Sequence, residues 1–170
     1  NARILWTFSA AYRHTGNTLY LQMADRAYQY INQYFIDSEC GGVYWTVDYN
    51  GVPLDTKKQV YAQAFVVYAL SEYYRSQPYE KVLQQAIDLY QIILDKAYDA
   101  QYGGYIEALS REWKPVEDLR LSAKDFNEKK SMNTHLHVLE GFTNLYRIWP
   151  DAGLKEKIEE QIRLFLAHII

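Results

Sequence analysis

The sequence predicts an all-α fold: an α/α toroid of stacked helical hairpins with short β-hairpins between the pairs, about half of the ring being present. Three observations carry that reading. The dipeptide Tyr-Arg closes a helical pattern three times, at Tyr12-Arg13, Tyr74-Arg75 and Tyr146-Arg147. A Gly-Gly turn followed by an aromatic opens twice, at Gly41-Gly42-Val43-Tyr44 and Gly103-Gly104-Tyr105, and it recurs after 62 residues, as do the first two Tyr-Arg pairs. Between these marks lie helix-length segments with apolar residues three and four positions apart.

The elements follow in order. The chain opens on Asn1-Ala2-Arg3-Ile4-Leu5-Trp6, already in a helical pattern. After the first Gly pair, Val43, Trp45, Val47 and Tyr49 alternate with polar or smaller neighbours up to Asn50-Gly51, a two-residue hairpin signal. In the second unit Tyr61, Phe65, Tyr68, Ala69 and Tyr73 form one helical stripe, and Val82, Ala86, Leu89, Ile93 and Ala97 another. Ile106, Ala108 and Trp113 suggest a second hairpin around Ser110-Arg111. The third unit begins near Met132 and ends on Leu164-Phe165-Leu166-Ala167-His168-Ile169-Ile170, an apolar face without a capping Gly or Asn. The units are thus about 1–57, 58–131 and 132–170, each a helix pair with its hairpin, the third lacking one.

A ring of six such hairpins needs roughly 360 residues or more, and 170 supply three. Both ends read as cut, so the expectation is half a toroid, with the remainder of the barrel coming from a missing C-terminal half. An open solenoid is the competing architecture.

Composition narrows the function. With 49% hydrophobic residues, 8 Gly and 4 Pro, the chain has ample apolar surface to offset chain entropy. A net charge of -3 gives no basic stripe, so no nucleic-acid partner is expected. No apolar run approaches the roughly 20 residues that span a bilayer, so no membrane partner is expected either. One cysteine, Cys40, builds no intramolecular disulfide framework, and a cytoplasmic location is the expectation. The 17 Tyr suit packing between helices or a sugar-binding surface.

The repeat register serves as a ruler. Aligning Arg13, Arg75 and Arg147 makes Arg3, Phe65 and His137 equivalent, each ten residues earlier. One turn before the last two lie Tyr61 and Asn133. Arg3, Tyr61, Asn133 and His137 therefore cluster at the starts of three first helices, which in a ring converge on one mouth of a funnel. Each also has a plainer reading: a solvated terminus for Arg3, packing for Tyr61, an N-cap for Asn133 and a satisfied core imidazole for His137.

No metal is expected. His135 and His137 stand two apart, on opposite sides of a helix, whereas helical zinc ligands stand four apart. Glu140, three after His137, can orient it, but no third ligand is evident. Phosphate-loop and nucleophile-elbow motifs are missing, and no cysteine adjoins a histidine. Asp48, Asp55, Glu107 and Glu140 are carboxylates available for glycoside hydrolysis, at separations that sequence does not set. The polar segment Asp118 to Ser131 is either a solvated linker or a loop over the funnel mouth.

Four segments taken together resemble the N-acylglucosamine 2-epimerase superfamily, and within it the cellobiose 2-epimerases. They are Asn1 to Ser9, the Gly41-Gly42-Val43-Tyr44-Trp45 turn, Gln59 to Phe65 and Met132 to Glu140. The resemblance covers essentially the whole chain in order and spacing. It implies an (α/α)6 barrel and a cofactor-independent isomerase that converts the reducing-end glucose of cellobiose or lactose to mannose. It further implies that Arg3 and His137 are catalytic, that Tyr61 and Asn133 bind the disaccharide or monosaccharide substrate, and that His135 is structural. The family also uses two further histidines, a tryptophan pair and a carboxylate from the other half, which do not occur here, so this segment alone is expected to be inactive. The alternatives are an N-acylglucosamine 2-epimerase, a mannose-type aldose–ketose isomerase, or a non-catalytic helical-repeat binding module.

Overall fold

A computed structural model describes residues 1–168; the predicted apolar face at Ile169 and Ile170 lies outside the described residues. Among the described residues six α-helices alternate between two layers. The inner layer holds α1 (Ala2–Thr15), α3 (Val60–Ser76) and α5 (Met132–Tyr146); the outer layer holds α2 (Thr18–Tyr30), α4 (Glu80–Ala97) and α6 (Ala152–His168). Each inner helix packs on the outer helix that follows it, and α3 lies between α1 and α5.

Local sequence sets the turns. Gly16 takes φ 68°, and its N–H donates to the Tyr12 carbonyl, ending α1. The Asn17 side chain then accepts from the Leu19 N–H at 3.0 Å to start α2. A single π-helical turn, Ile31–Phe35, follows α2 and leads into the first Gly pair.

The inner helices run parallel. Arg3 of α1 donates to the Tyr61 hydroxyl near the start of α3, while Arg13 at the other end of α1 pairs with Glu72. Along α5, the His137 ring lies against Tyr61, and Asn144 donates to the Tyr68 carbonyl at 3.0 Å. Three N-terminal ends therefore share one edge of the inner layer. The core lies between the layers: Val67, Leu70, Val82, Ala86, Ile93 and Phe142 are fully or almost fully buried.

Gly41 and Gly42 both have φ above +70°, a region in which a side chain is strained. They close a turn in which the Asp37 N–H donates to the Gly42 carbonyl, and Gly103 and Gly104 repeat it from Asp99.

Three local expectations need correction. The loop after Val47 is not a two-residue turn at Asn50-Gly51. Asp48 accepts from the N–H groups of Asn50 and Val52, spanning a longer loop between β1 (Thr46–Val47) and β2 (Pro53–Asp55). The second hairpin does not pair with itself. Instead β4 (Ala108–Leu109) pairs antiparallel with β3 (Lys58–Gln59), which ties the start of α3 to the segment that follows α4 in the same unit. The predicted α3 stripe also splits: Tyr61, Phe65 and Tyr68 stay half-buried on the inner face, while Ala69 and Tyr73 are buried and Tyr73 donates to Asp25 of α2. Because α3 is central, it buries residues on more than one side, and one-face periodicity misassigns them.

Candidate functional site

Three of the four residues singled out from sequence meet at the shared N-terminal edge. The Arg3 guanidinium donates to the Tyr61 hydroxyl and lies 4.7 Å from the centroid of the Phe65 ring. The His137 imidazole packs 4.4 Å from Phe65 and 4.7 Å, edge-on, from Tyr61, measured between ring centroids. The register-equivalent residues Arg3, Phe65 and His137 thus form a continuous row across three helices. Packing leaves Arg3 exposed and His137 half-buried; Arg3, Tyr61 and Phe65 line one apolar cavity, and the His137 ring packs against the two aromatic residues of that wall.

Asn133 stands apart from that cluster. It is exposed on the first turn of α5 and lines a different cavity, of about 240 Å³, with Glu107, Arg120 and Lys130. Its N-cap reading is overturned: Ser131 caps α5, its hydroxyl accepting from the Thr134 N–H at 3.1 Å. Asn133 is one turn before His137 on the same helix, and among the described residues its amide makes no hydrogen bond.

The segment over this second cavity is tied down. Lys57 donates to the carbonyls of Asp118 and Arg120, the Gln59 amide donates to Arg120, and the Glu107 N–H donates to Lys129. Residues 118–131 are therefore anchored at several points, while most of them stay exposed to solvent.

His135 takes no part in the site. Its Nδ1 donates to the Ser131 carbonyl at 2.7 Å, and its Nε2 accepts from the Tyr105 N–H at 3.0 Å. Burial pushes its pKa down, which keeps the ring neutral and suits that arrangement. Among the described residues no group of three or more His, Cys, Asp or Glu is placed to hold a metal. Of the four carboxylates considered for hydrolysis, Asp48 and Asp55 anchor backbone N–H groups of their own loops, and Glu140 contacts His137. Glu107 accepts from the Thr134 hydroxyl through one oxygen, while its buried Oε2 makes no hydrogen bond among the described residues.

Two features escaped sequence reasoning. Trp45, read as a strand residue, sits edge-on to Tyr61 at 6.2 Å and lines an apolar cavity of about 210 Å³ with Arg3, Phe35 and Tyr44. A tryptophan beside a Gly-Gly turn was the available signal. The other feature is Glu72, almost fully buried, which pairs with both Arg13 and Arg75. Burial favours its neutral form, yet the two guanidiniums prevail and hold its pKa low. The three register arginines, Arg13, Arg75 and Arg147, thus line a cavity of about 350 Å³ at the other end of the inner helices.

A layer of parallel inner helices backed by antiparallel outer ones, with polar side chains gathered at one edge, defines this chain as part of an (α/α)6 barrel. The N-acylglucosamine 2-epimerase (GlcNAc 2-epimerase) family matches residues 1–170, and the chain belongs to that family. A cellobiose 2-epimerase of Bacteroides fragilis is 52% identical over all 170 residues, and one of Dictyoglomus turgidum is 40% identical over 164. The cellobiose 2-epimerase structure from Bacillus thermoamylovorans superposes with a TM-score of 0.95 at 44% identity, covering 99% of this chain and 44% of that one. The chain spans 43% of the Bacteroides relative and 42% of the Dictyoglomus one. These likenesses favour the barrel over the open solenoid. Among the described residues no helix is long and apolar enough to cross a membrane.

Proposed function

We propose that this chain forms part of the sugar-binding wall of a carbohydrate 2-epimerase that converts the reducing-end glucose of a β-1,4-linked disaccharide, cellobiose or lactose, to mannose. The cluster of Arg3, Tyr61 and His137 at one barrel edge is the observation that carries the proposal. Inversion at a hydroxyl-bearing C2 requires an open-chain aldehyde, removal of the proton beside it, an enediolate, and reprotonation from the opposite face. Groups that titrate near neutrality suit both transfers, and histidine is the side chain whose ordinary pKa, about 6.5, lies there.

Arg3 supplies fixed positive charge where the enediolate oxygen develops. His137 contacts substrate oxygens and assists ring opening, Tyr61 orients Arg3 and a hydroxyl, and Asn133 reaches sugar from the neighbouring cavity. Proton transfer and oxyanion stabilisation are within the reach of side chains, so this chemistry calls for no cofactor. The single cysteine suits a cytoplasmic enzyme. The rest of the barrel is to come from the part of the relatives that this chain does not span.

The test is incubation of the full-length barrel with cellobiose in deuterated water, followed by NMR. A reducing-end mannose carrying deuterium at C2 is expected. A ketose product overturns the epimerase assignment in favour of an aldose–ketose isomerase, and binding without C2 exchange turns the chain into a binding module. Arg3→Ala is expected to lower kcat/KM by about 10²–10³-fold; a loss of only a few-fold removes Arg3 from the oxyanion role.

A further inference from the structure

The chemistry above leaves Glu140 unused. It follows His137 by one helical turn, and its Oε2 lies 2.6 Å from His137 Nδ1. A carboxylate offers only acceptor sites, so in the neutral imidazole the shared proton belongs to Nδ1. Nε2 then keeps its lone pair, and among the described residues it makes no hydrogen bond. The groups facing the ring from other helices do not compete for Nδ1: Tyr61 and Phe65 of α3 meet it through their rings, and Arg3 of α1 is engaged with the Tyr61 hydroxyl. The Glu140 side chain is 42% exposed, so the contact adds little stability as an ion pair. Its consequence is orientation and tautomer.

We infer that Glu140 is a positioning residue that holds His137 in the Nδ1–H tautomer, so that Nε2 meets the sugar as a proton acceptor rather than a donor. This rests on the reading of His137 as a site residue. When Nε2 takes a proton from a sugar hydroxyl, the O–H bond breaks, its electron pair stays on oxygen, and the new imidazolium stands opposite the Glu140 carboxylate. A glutamine in the same place presents both a donor and an acceptor and no longer dictates the tautomer.

The experiment is long-range ¹H–¹⁵N correlation NMR on the ¹⁵N-labelled chain, above the pH at which its histidines titrate. The chain has four histidines, and the His137 signals are assigned by their loss in His137→Phe. Nδ1 is expected to carry the proton in the wild type, and Glu140→Leu and Glu140→Gln are expected to give a mixture. His135 serves as an internal fold control, because its own Nδ1–H tautomer is fixed by Ser131 and Tyr105 and does not involve Glu140. Wild-type His137 protonated on Nε2, or an unchanged Nδ1–H population in Glu140→Leu, overturns the inference. In the full-length protein Glu140→Leu is expected to lower kcat by about 10–100-fold with little change in KM. Full activity of His137→Phe overturns the site reading while leaving the tautomer result intact, so the two failures are distinguishable.

Discussion

His135 does for the second Gly-Gly turn what Gln63 does for the first. The Gln63 amide brackets Val43, accepting its N–H at 2.8 Å and donating to its carbonyl at 2.9 Å, and His135 accepts the Tyr105 N–H at 3.0 Å from the same place in the next unit. Both side chains are buried, so each hairpin is fastened to the inner helix that follows it by a group that water does not replace.

That relationship fixes what substitution at 135 should do. His135→Ala strands a buried N–H and is expected to destabilise the chain by about 1–3 kcal/mol. His135→Gln, copying the first unit, is expected to recover most of the loss. Urea unfolding monitored by circular dichroism compares them, and equal midpoints for the Ala and Gln variants would refute the equivalence.

Gly141 marks the closest approach of α5 to α3. A Cβ added there would lie 2.7 Å from the Ala64 carbonyl oxygen. Exchanging glycine for alanine inside a helix ordinarily stabilises by roughly 0.5–1 kcal/mol. Here the sign is expected to reverse, with Gly141→Ala costing about 1–3 kcal/mol as the two helices are forced apart. Thermal unfolding measures it, and a raised midpoint would contradict the packing.

Asp37 is buried in contact with Lys58, itself fully buried, at 2.8 Å, and with Arg111 at 2.9 Å. Burial pushes its carboxyl up, but hydrogen bonds from Arg111 and Lys58 and the Cys40 N–H outweigh that and hold it well below the usual carboxylate range. A depressed folded-state pKa means stability that is present above the unfolded value and lost as pH falls toward the folded one. The wild type should therefore lose stability progressively below about pH 4, and Asp37→Asn should flatten that limb. At neutral pH the same variant leaves Lys58 without its carboxylate and is expected to cost about 3–5 kcal/mol. Denaturation midpoints measured from pH 2 to 7 check both.

Tyr61→Phe removes the oxygen that receives the Arg3 hydrogen bond while keeping the ring against His137. In the full-length protein a roughly tenfold fall in kcat/KM for cellobiose is expected, that being about the worth of one hydrogen bond to a charged group. Steady-state kinetics provide the check, and an unchanged value would leave Tyr61 a packing residue.

Hydrogen exchange on residues 118–131, with and without cellobiose, tests whether the tied loop responds to sugar. Added protection is expected at its inner side near Asn133, which shares a cavity with Arg120. Identical exchange would make the loop a scaffold alone.

Much of this molecule was legible in one dimension. Helix pairs follow from three- and four-residue spacing, because a helix buries one stripe against its neighbours. The repeat register placed Arg3, Phe65 and His137 in equivalent positions, and parallel packing turned that equivalence into a row of contacts. Asn133 followed the same ruler but entered another cavity, because one helical turn at the rim of the layer is enough to change neighbours.

Other features depended on tertiary structure. Sequence determined the helix pairs, the places of the Gly-Gly turns, and the candidate imidazole, phenol and guanidinium, since these depend on neighbours a few residues away. Only the folded chain decided that β4 pairs with β3, that Glu72 gathers two register arginines, and that Trp45 stands beside Tyr61. Those contacts join residues far apart along the chain, and burial energies that depend on every neighbouring helix select them, which no local pattern encodes.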